Sequence, residues 1–159
     1  MKKLFFTLLA TCFIFISCDD DDDVADQLRK DKKIIEEYLE ENNLTAQSTK
    51  SGLYYIIDEE GTGDRPNVFS IISVSYTGTL LDGTVFDQGE ASEIPLYSYI
   101  EGWQEGIPMF KEGGSGKLIV PSKLGYGAYE NVTSYDTIPK NSVLLFEITL
   151  DDVELRDVY

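Results

Sequence analysis

Two hydrophobic periods divide the chain. From Val24 to Leu44 apolar residues recur at helical spacing: Leu28, Ile34, Ile35, Tyr38 and Leu39 fall mostly on one stripe, and Glu36, Glu37, Glu40 and Glu41 take the opposite side. This pattern predicts a helix that loosens at Asn42-Asn43 and Thr45. A stripe of five apolar residues is too short for a long coiled coil. The helix therefore reads as a spacer rather than a dimerisation element, with packing against its own domain as the plainer alternative. Beyond Ser48 the period becomes two. Leu53 to Ile57 is a strand candidate closed by Glu60-Gly61-Thr62-Gly63, and in Ser70 to Leu80 the residues Ile72, Val74, Tyr76 and Leu80 share a face opposite Ile71, Ser73, Ser75 and Thr77. Asp82-Gly83 between apolar runs signals a hairpin, because glycine accepts positive φ freely, and Thr84 to Asp87 is the return strand. Lys117 to Val120, stopped by Pro121, and Val143 to Val153, with Leu144, Phe146, Ile148 and Leu150 aligned, complete the strands. Ile100 to Ile107 is a short helix limited by Pro108. Strands with hairpin-length links and one short helix predict an antiparallel α+β domain.

Composition narrows the chemistry. The 159 residues carry 13 Lys+Arg against 29 Asp+Glu, a formal net charge of −16. Such a chain repels phosphate backbones, so nucleic acid is not an expected partner. The chain has no histidine, which removes Ser-His-Asp and Cys-His nucleophiles and His-ligated metals together. Its two cysteines, Cys12 and Cys18, support neither a disulfide framework nor a Cys-rich metal site. No cofactor is expected.

The N-terminus reads as an address. Met1-Lys2-Lys3 is followed by an apolar run from Leu4 to Ile16 and the small Ser17, the arrangement of a secretory signal peptide. The run is shorter than the roughly 18–20 residues of a membrane span. Phe13 to Cys18 resembles the lipobox of bacterial lipoproteins, with Phe15 standing where an aliphatic residue is usual. The resemblance implies loss of residues 1–17 and lipidation of Cys18, leaving 11 basic and 29 acidic residues, a net of −18. It also implies a lipid-anchored protein of the bacterial envelope, on the outer membrane, facing the periplasm or the surface. Asp19 to Asp23 is a carboxylate run that repels itself and is expected to form, with Cys18, an extended acidic tether over 18–23. It is not a calcium loop: starting from Asp19, an EF-hand needs Gly and Glu where the chain has Val24 and Lys30, and starting from Asp20 it has Ala25 and Asp31. The spacer helix then occupies 24–47 and the β-rich domain 48–156.

Four segments of that domain resemble the FKBP family of peptidyl-prolyl isomerases, in the family's order and with similar gaps: V-S-Y-T-G-T-L-L-D-G-T-V-F-D (74–87), Y-I-E-G-W-Q-E-G (99–106), K-L-I-V-P-S-K-L-G-Y-G-A (117–128) and I-P-K-N-S-V-L-L-F-E-I-T-L (138–150). The resemblance implies an antiparallel sheet curled around a short helix with an apolar pocket between them. It also implies proline-containing polypeptides as partners. Rotation about an X-Pro bond faces a resonance barrier of about 18–20 kcal/mol. No covalent bond breaks, so neither nucleophile nor metal is required. A dry aromatic pocket disfavours the planar, more polar amide relative to the twisted one.

By the same resemblance Trp103 is the pocket floor, and Tyr76, Phe86 and Phe146 are aromatic walls. Asp87 is a part-buried carboxylate accepting a hydrogen bond from the Tyr76 hydroxyl. Ile100 offers a backbone N–H and Tyr126 a hydroxyl to substrate carbonyls, and Tyr99 and Ile138 complete the substrate-binding set. From the residues alone, each wall aromatic is an inward strand residue, Asp87 is a solvated hairpin end, and Tyr126 is a loop aromatic. Three departures stand out. Ser92 replaces a wall aromatic, Tyr99 replaces a smaller aliphatic, and the 126–139 loop, carrying Tyr129 and Tyr135, is about three residues longer than in compact members. The altered wall at Ser92 and Tyr99 sustains a second reading, a peptide-binding or holdase chaperone that uses the pocket without turnover.

Overall fold

The computed structural model describes residues 20–156, with side chains from residue 23. The leader 1–17, Cys18 and Asp19 lie outside the described residues. Helix α1 spans Asp20–Glu41. It begins four residues ahead of the apolar pattern, so Asp20 to Asp23, expected as extended tether, forms its first turn. Asp26 reaches back-to-front partners Arg29 at 3.0 Å and Lys30 at 2.7 Å. At the other end the Leu44 N–H donates to the Leu39 carbonyl (2.9 Å) and that of Asn43 to Glu40 (3.2 Å). Asn43 has φ 54°, completing a Schellman C-cap.

The helix is not a free spacer. Ile35 is fully buried with Tyr54, Ile119, Val143 and Leu145 in a core of its own, flanked by Tyr38 and Leu39. Asp31, also 0% exposed, accepts hydrogen bonds from the Ser122 N–H (2.8 Å), the Ser122 hydroxyl (2.6 Å) and the Gln27 amide (2.7 Å). The Tyr54 hydroxyl donates to Glu36 at 3.1 Å. The spacer expectation failed because the sequence pattern shows a stripe but not what covers it.

The strands are β1 (Gln47–Ser48), β2 (Tyr54–Glu59), β3 (Ile71–Leu80), β4 (Val85–Pro95), β5 (Ser115–Val120), β6 (Asn131–Val132), β7 (Thr137–Ile138) and β8 (Leu144–Glu154). Six form one sheet in the order β1-β2-β5-β8-β3-β4, every pair antiparallel, and β6 pairs with β7 separately. Helix α2, Glu101–Gly106, lies on one face of the large sheet and α1 on the other. The main core, between α2 and the sheet, takes Ile72 and Val74 from β3, Leu118 and Val120 from β5, and Leu144, Phe146, Ile148 and Leu150 from β8.

Local chemistry explains the joints. At the β3–β4 turn Gly83 has φ +89°, the Leu80 N–H donates to the Thr84 carbonyl (2.9 Å), and the Asp82 carboxylate accepts from the Thr84 N–H (2.9 Å). Strand β4 continues eight residues past the expected return strand, through Gln88 to Pro95. That stretch is a mostly exposed edge with bulged pairing to β3, so it shows no apolar alternation. Helix α2 sits close on β5 because two glycines one turn apart face it. A Cβ on Gly102 would stand 2.4 Å from Val120 Cγ1, and one on Gly106 would stand 2.6 Å from Leu118 Cδ1.

Candidate functional site

Eight side chains from five parts of the fold meet in one cleft: Tyr76 on β3, Phe86 and Asp87 on β4, Tyr99, Ile100 and Trp103 at the start of α2, Tyr126 after β5, and Phe146 on β8. They enclose a small cavity of about 50 Å³. Strand register brings the walls together. Gly78 of β3 lies between Phe146 of β8 and Asp87 of β4. Having no Cβ, it leaves the space that the Phe86 and Phe146 rings fill, since a Cβ there would come within 2.7 Å of Phe86 and 3.0 Å of Phe146. The two rings meet edge to face at 5.5 Å.

Trp103 forms the floor, 2% exposed, because Gly102 and Gly106 turn α2's glycine face to β5 and direct the indole into the cleft. Tyr76 and Phe146 contact it edge to face at 5.1 and 5.3 Å, and Tyr99 lies tilted over it at 4.6 Å. Such aromatic pairs contribute about 0.5–1.5 kcal/mol each beyond area burial. The Tyr76 hydroxyl donates to Asp87 at 2.9 Å, the pairing the resemblance implied. Burial, followed by the hydrogen bond to Asp87 and then the Asp87 charge, raises the proton affinity of Tyr76 well above that of an ordinary tyrosine. Burial and, after it, the Asp87 charge raise Tyr99 and Tyr126. All three phenols therefore stay protonated at neutral pH.

Ile100 is the N-cap of α2. Its carbonyl accepts from the Trp103 N–H (2.9 Å) and the Gln104 N–H (3.1 Å). Its own N–H donates to no group among the described residues. Sequence reasoning missed what aims it. The Gln104 side-chain amide donates to the Tyr99 carbonyl at 2.7 Å and the Tyr97 carbonyl at 3.3 Å. The Tyr99 carbonyl and the Ile100 N–H belong to one planar trans peptide and point in opposite directions. Holding the first therefore turns the second away from Gln104. The only sequence signal was an amide one turn after Ile100.

Ile138 is placed elsewhere: paired with Asn131 in the small sheet, it is buried in the main core and is not among the eight lining side chains. Ser92 is exposed on the bulged edge of β4 and is not among the eight lining side chains. The long loop is latched to the cleft from outside. The Thr133 hydroxyl bonds the Phe86 carbonyl, and the Tyr135 hydroxyl donates to the Gln88 carbonyl at 3.4 Å. Tyr129 remains largely exposed.

The family profile described as FKBP-type peptidyl-prolyl cis-trans isomerase matches residues 63–151. This chain belongs to the FKBP-type peptidyl-prolyl cis-trans isomerase family. Among FKBP relatives, FkpA of Aeromonas hydrophila is 42% identical over 125 residues, 75% of this chain and 45% of that protein. FkpA of Escherichia coli K12 is 38% identical over 136 residues, 83% of this chain and 48% of that protein. The chain thus spans about half the length of these two FKBP relatives. A crystal structure of E. coli FkpA superposes with a TM-score of 0.69 at 34% identity, covering 84% of this chain and 62% of the other. A peptidyl-prolyl cis-trans isomerase from Pseudomonas syringae pv. tomato gives 0.66 at 26% identity, covering 79% and 95%. The FKBP fold is thus the α+β architecture expected from the strand pattern.

Among the described residues no group of three or more Cys, Asp or Glu side chains is arranged to hold a metal ion. No described helix is long and apolar enough to cross a membrane.

Proposed function

We propose that this FKBP-family chain accelerates cis-trans isomerisation of X-Pro bonds in exported polypeptides. The supporting observation is the closed aromatic cleft, in which Tyr76, Phe86, Trp103 and Phe146 surround a space with the single carboxylate Asp87 at its edge. The proline ring enters over Trp103. The Ile100 N–H and the Tyr126 hydroxyl take flanking carbonyls, which fixes the segment while the amide rotates. The twisted amide has lost resonance and polarity, so a water-poor, ring-lined site favours it over the planar form. Asp87, engaged by Tyr76, orients that wall and keeps its charge out of the apolar floor. No proton transfer occurs.

The reading extends to the chain's place in the cell. Cys18 carries lipid, residues 1–17 are removed, and the domain works at the bacterial envelope on proteins that have just crossed the inner membrane. Each buried acyl methylene contributes about 0.8 kcal/mol to anchoring. Mass analysis of the mature N-terminus tests it: a lipid-free Cys18, or a retained leader, sinks the anchor.

Isomerisation of a short X-Pro peptide, followed with and without the folded protein, tests the activity. Equal rates end the proposal. A holdase without turnover is the second reading, favoured by the small cavity and by Tyr99 lying over the floor. Asp87→Ala and Phe146→Ala separate the two: activity lost while client binding survives is catalysis, and no activity to lose with binding intact is the holdase.

A further inference from the structure

Among the described residues only two buried side-chain polar atoms lack a hydrogen-bond partner, the Tyr99 hydroxyl oxygen and Trp103 Nε1. Both belong to the stacked pair at the bottom of the cleft. Unpartnered buried polar groups are rare in folded proteins, because each forfeits its hydration without compensation. Two in one cleft mark a surface that no other described residue completes. The indole N–H is rigid with the floor, whereas a phenolic O–H turns about its C–O bond and can follow a ligand.

The nearest anion does not satisfy Tyr99. Asp87 accepts from Tyr76 at 2.9 Å, and Tyr99 feels the Asp87 charge without bonding to it. The Tyr99 backbone is also held: its carbonyl accepts from Gln104 at 2.7 Å, and its N–H donates to the Leu96 carbonyl at 3.1 Å. The ring is thus fixed from the main chain and from the Trp103 face, and only the hydroxyl is uncommitted.

Building on the prolyl-peptide reading of this cleft, we propose that Tyr99 contacts the substrate, its hydroxyl donating a hydrogen bond to a backbone carbonyl of the bound proline-containing segment. The free protein carries this donor desolvated and unpaired, and the substrate supplies the acceptor. Tyr99 thereby narrows the cleft to peptides that present a carbonyl to this wall, and it disfavours apolar rings that fill the cleft without one.

Tyr99→Phe tests this cleanly. Since the hydroxyl has no partner among the described residues, its removal is expected to leave the thermal midpoint unchanged or raised. Trp103 is the only tryptophan and reports occupancy of the cleft by its fluorescence. Titration of wild type and Tyr99→Phe with one short Ala-Pro peptide is expected to show a roughly three- to tenfold weaker Kd for the variant, the loss of one neutral hydrogen bond. Equal affinities within twofold overturn the proposal, as does a parallel fall in thermal midpoint, which would give the hydroxyl a partner inside the protein. Absence of any wild-type fluorescence change with the peptide overturns it too. Isomerase activity is measured separately. Binding with the expected difference but no turnover removes the catalytic reading and leaves the Tyr99 contact standing.

Discussion

Replacing Asp31 with Ala would strip a buried latch between α1 and the cleft. Asp31 is fully buried, and its carboxylate takes the Ser122 N–H at 2.8 Å, the Ser122 hydroxyl at 2.6 Å and the Gln27 amide at 2.7 Å. Hydrogen bonds to a charged group contribute about 1.5–3 kcal/mol each, and the Ser122 donors would remain buried without an acceptor. Gln27 is part-exposed and turns to water, so it is left out of the reckoning. The two Ser122 bonds set an expected loss of about 3–5 kcal/mol, or roughly 2–4 °C of thermal midpoint per kcal/mol for a chain of this size. Asp31→Asn keeps one acceptor oxygen and is expected to lose about half as much. Urea denaturation followed by Trp103 fluorescence measures both, and a cycle with Ser122→Ala isolates the side-chain pair. The latch also reaches the site. The Ser122 carbonyl accepts from the Gly125 N–H (3.0 Å) and the Gly127 N–H (2.8 Å), on either side of Tyr126. Asp31→Asn is therefore expected to weaken peptide affinity as well as stability. A loss below about 1 kcal/mol for Asp31→Ala would refute the reasoning, because a buried carboxylate holding two otherwise unpaired donors cannot be that cheap to remove.

Gln104→Ala frees the Tyr99–Ile100 peptide plane, and kcat/KM for an X-Pro peptide is expected to fall roughly three- to tenfold; an unchanged value removes Gln104 as a positioning residue. Gly102→Ala sets a methyl 2.4 Å from Val120 Cγ1 and must lift α2 from β5. Overpacking of this kind costs about 1–3 kcal/mol, and a shifted Trp103 emission should accompany it; unchanged stability and emission count against the glycine-face account. The proton affinities of Tyr54, Tyr76, Tyr99 and Tyr126 are all raised, each chiefly by burial. The folded chain therefore holds these protons more tightly than the unfolded one. Their contribution to stability is complete below about pH 10 and falls as pH rises above it, where the unfolded tyrosines ionise first. Urea midpoints between pH 9 and 11 should fall less steeply in Tyr76→Phe than in wild type, and identical slopes would refute the assignment.

What the linear chain determined was set by side-chain chemistry that neighbours in sequence enforce. Alternation placed Ile72, Val74, Leu144, Phe146, Ile148 and Leu150 on one buried face, Asp82-Gly83 made the hairpin, and Pro121 stopped β5, whereas past Pro108 the backbone runs on as a 3₁₀ turn, Ile107–Met109. Four motifs in order carried the resemblance, and with it the eight residues that meet in the cleft. Three things were decided only by packing. Helix α1 carries an apolar stripe that any surface could cover, and burial of Ile35 and Asp31 selected the back of its own sheet. The outer half of β4 has no apolar alternation because it is a mostly exposed edge whose stability comes from backbone pairing to β3, which needs no particular side chains. The Gln104 amide and the unpaired Tyr99 hydroxyl take their meaning from where a peptide plane and a ring stand in three dimensions, since hydrogen bonding depends on distances and directions that residue type alone leaves open.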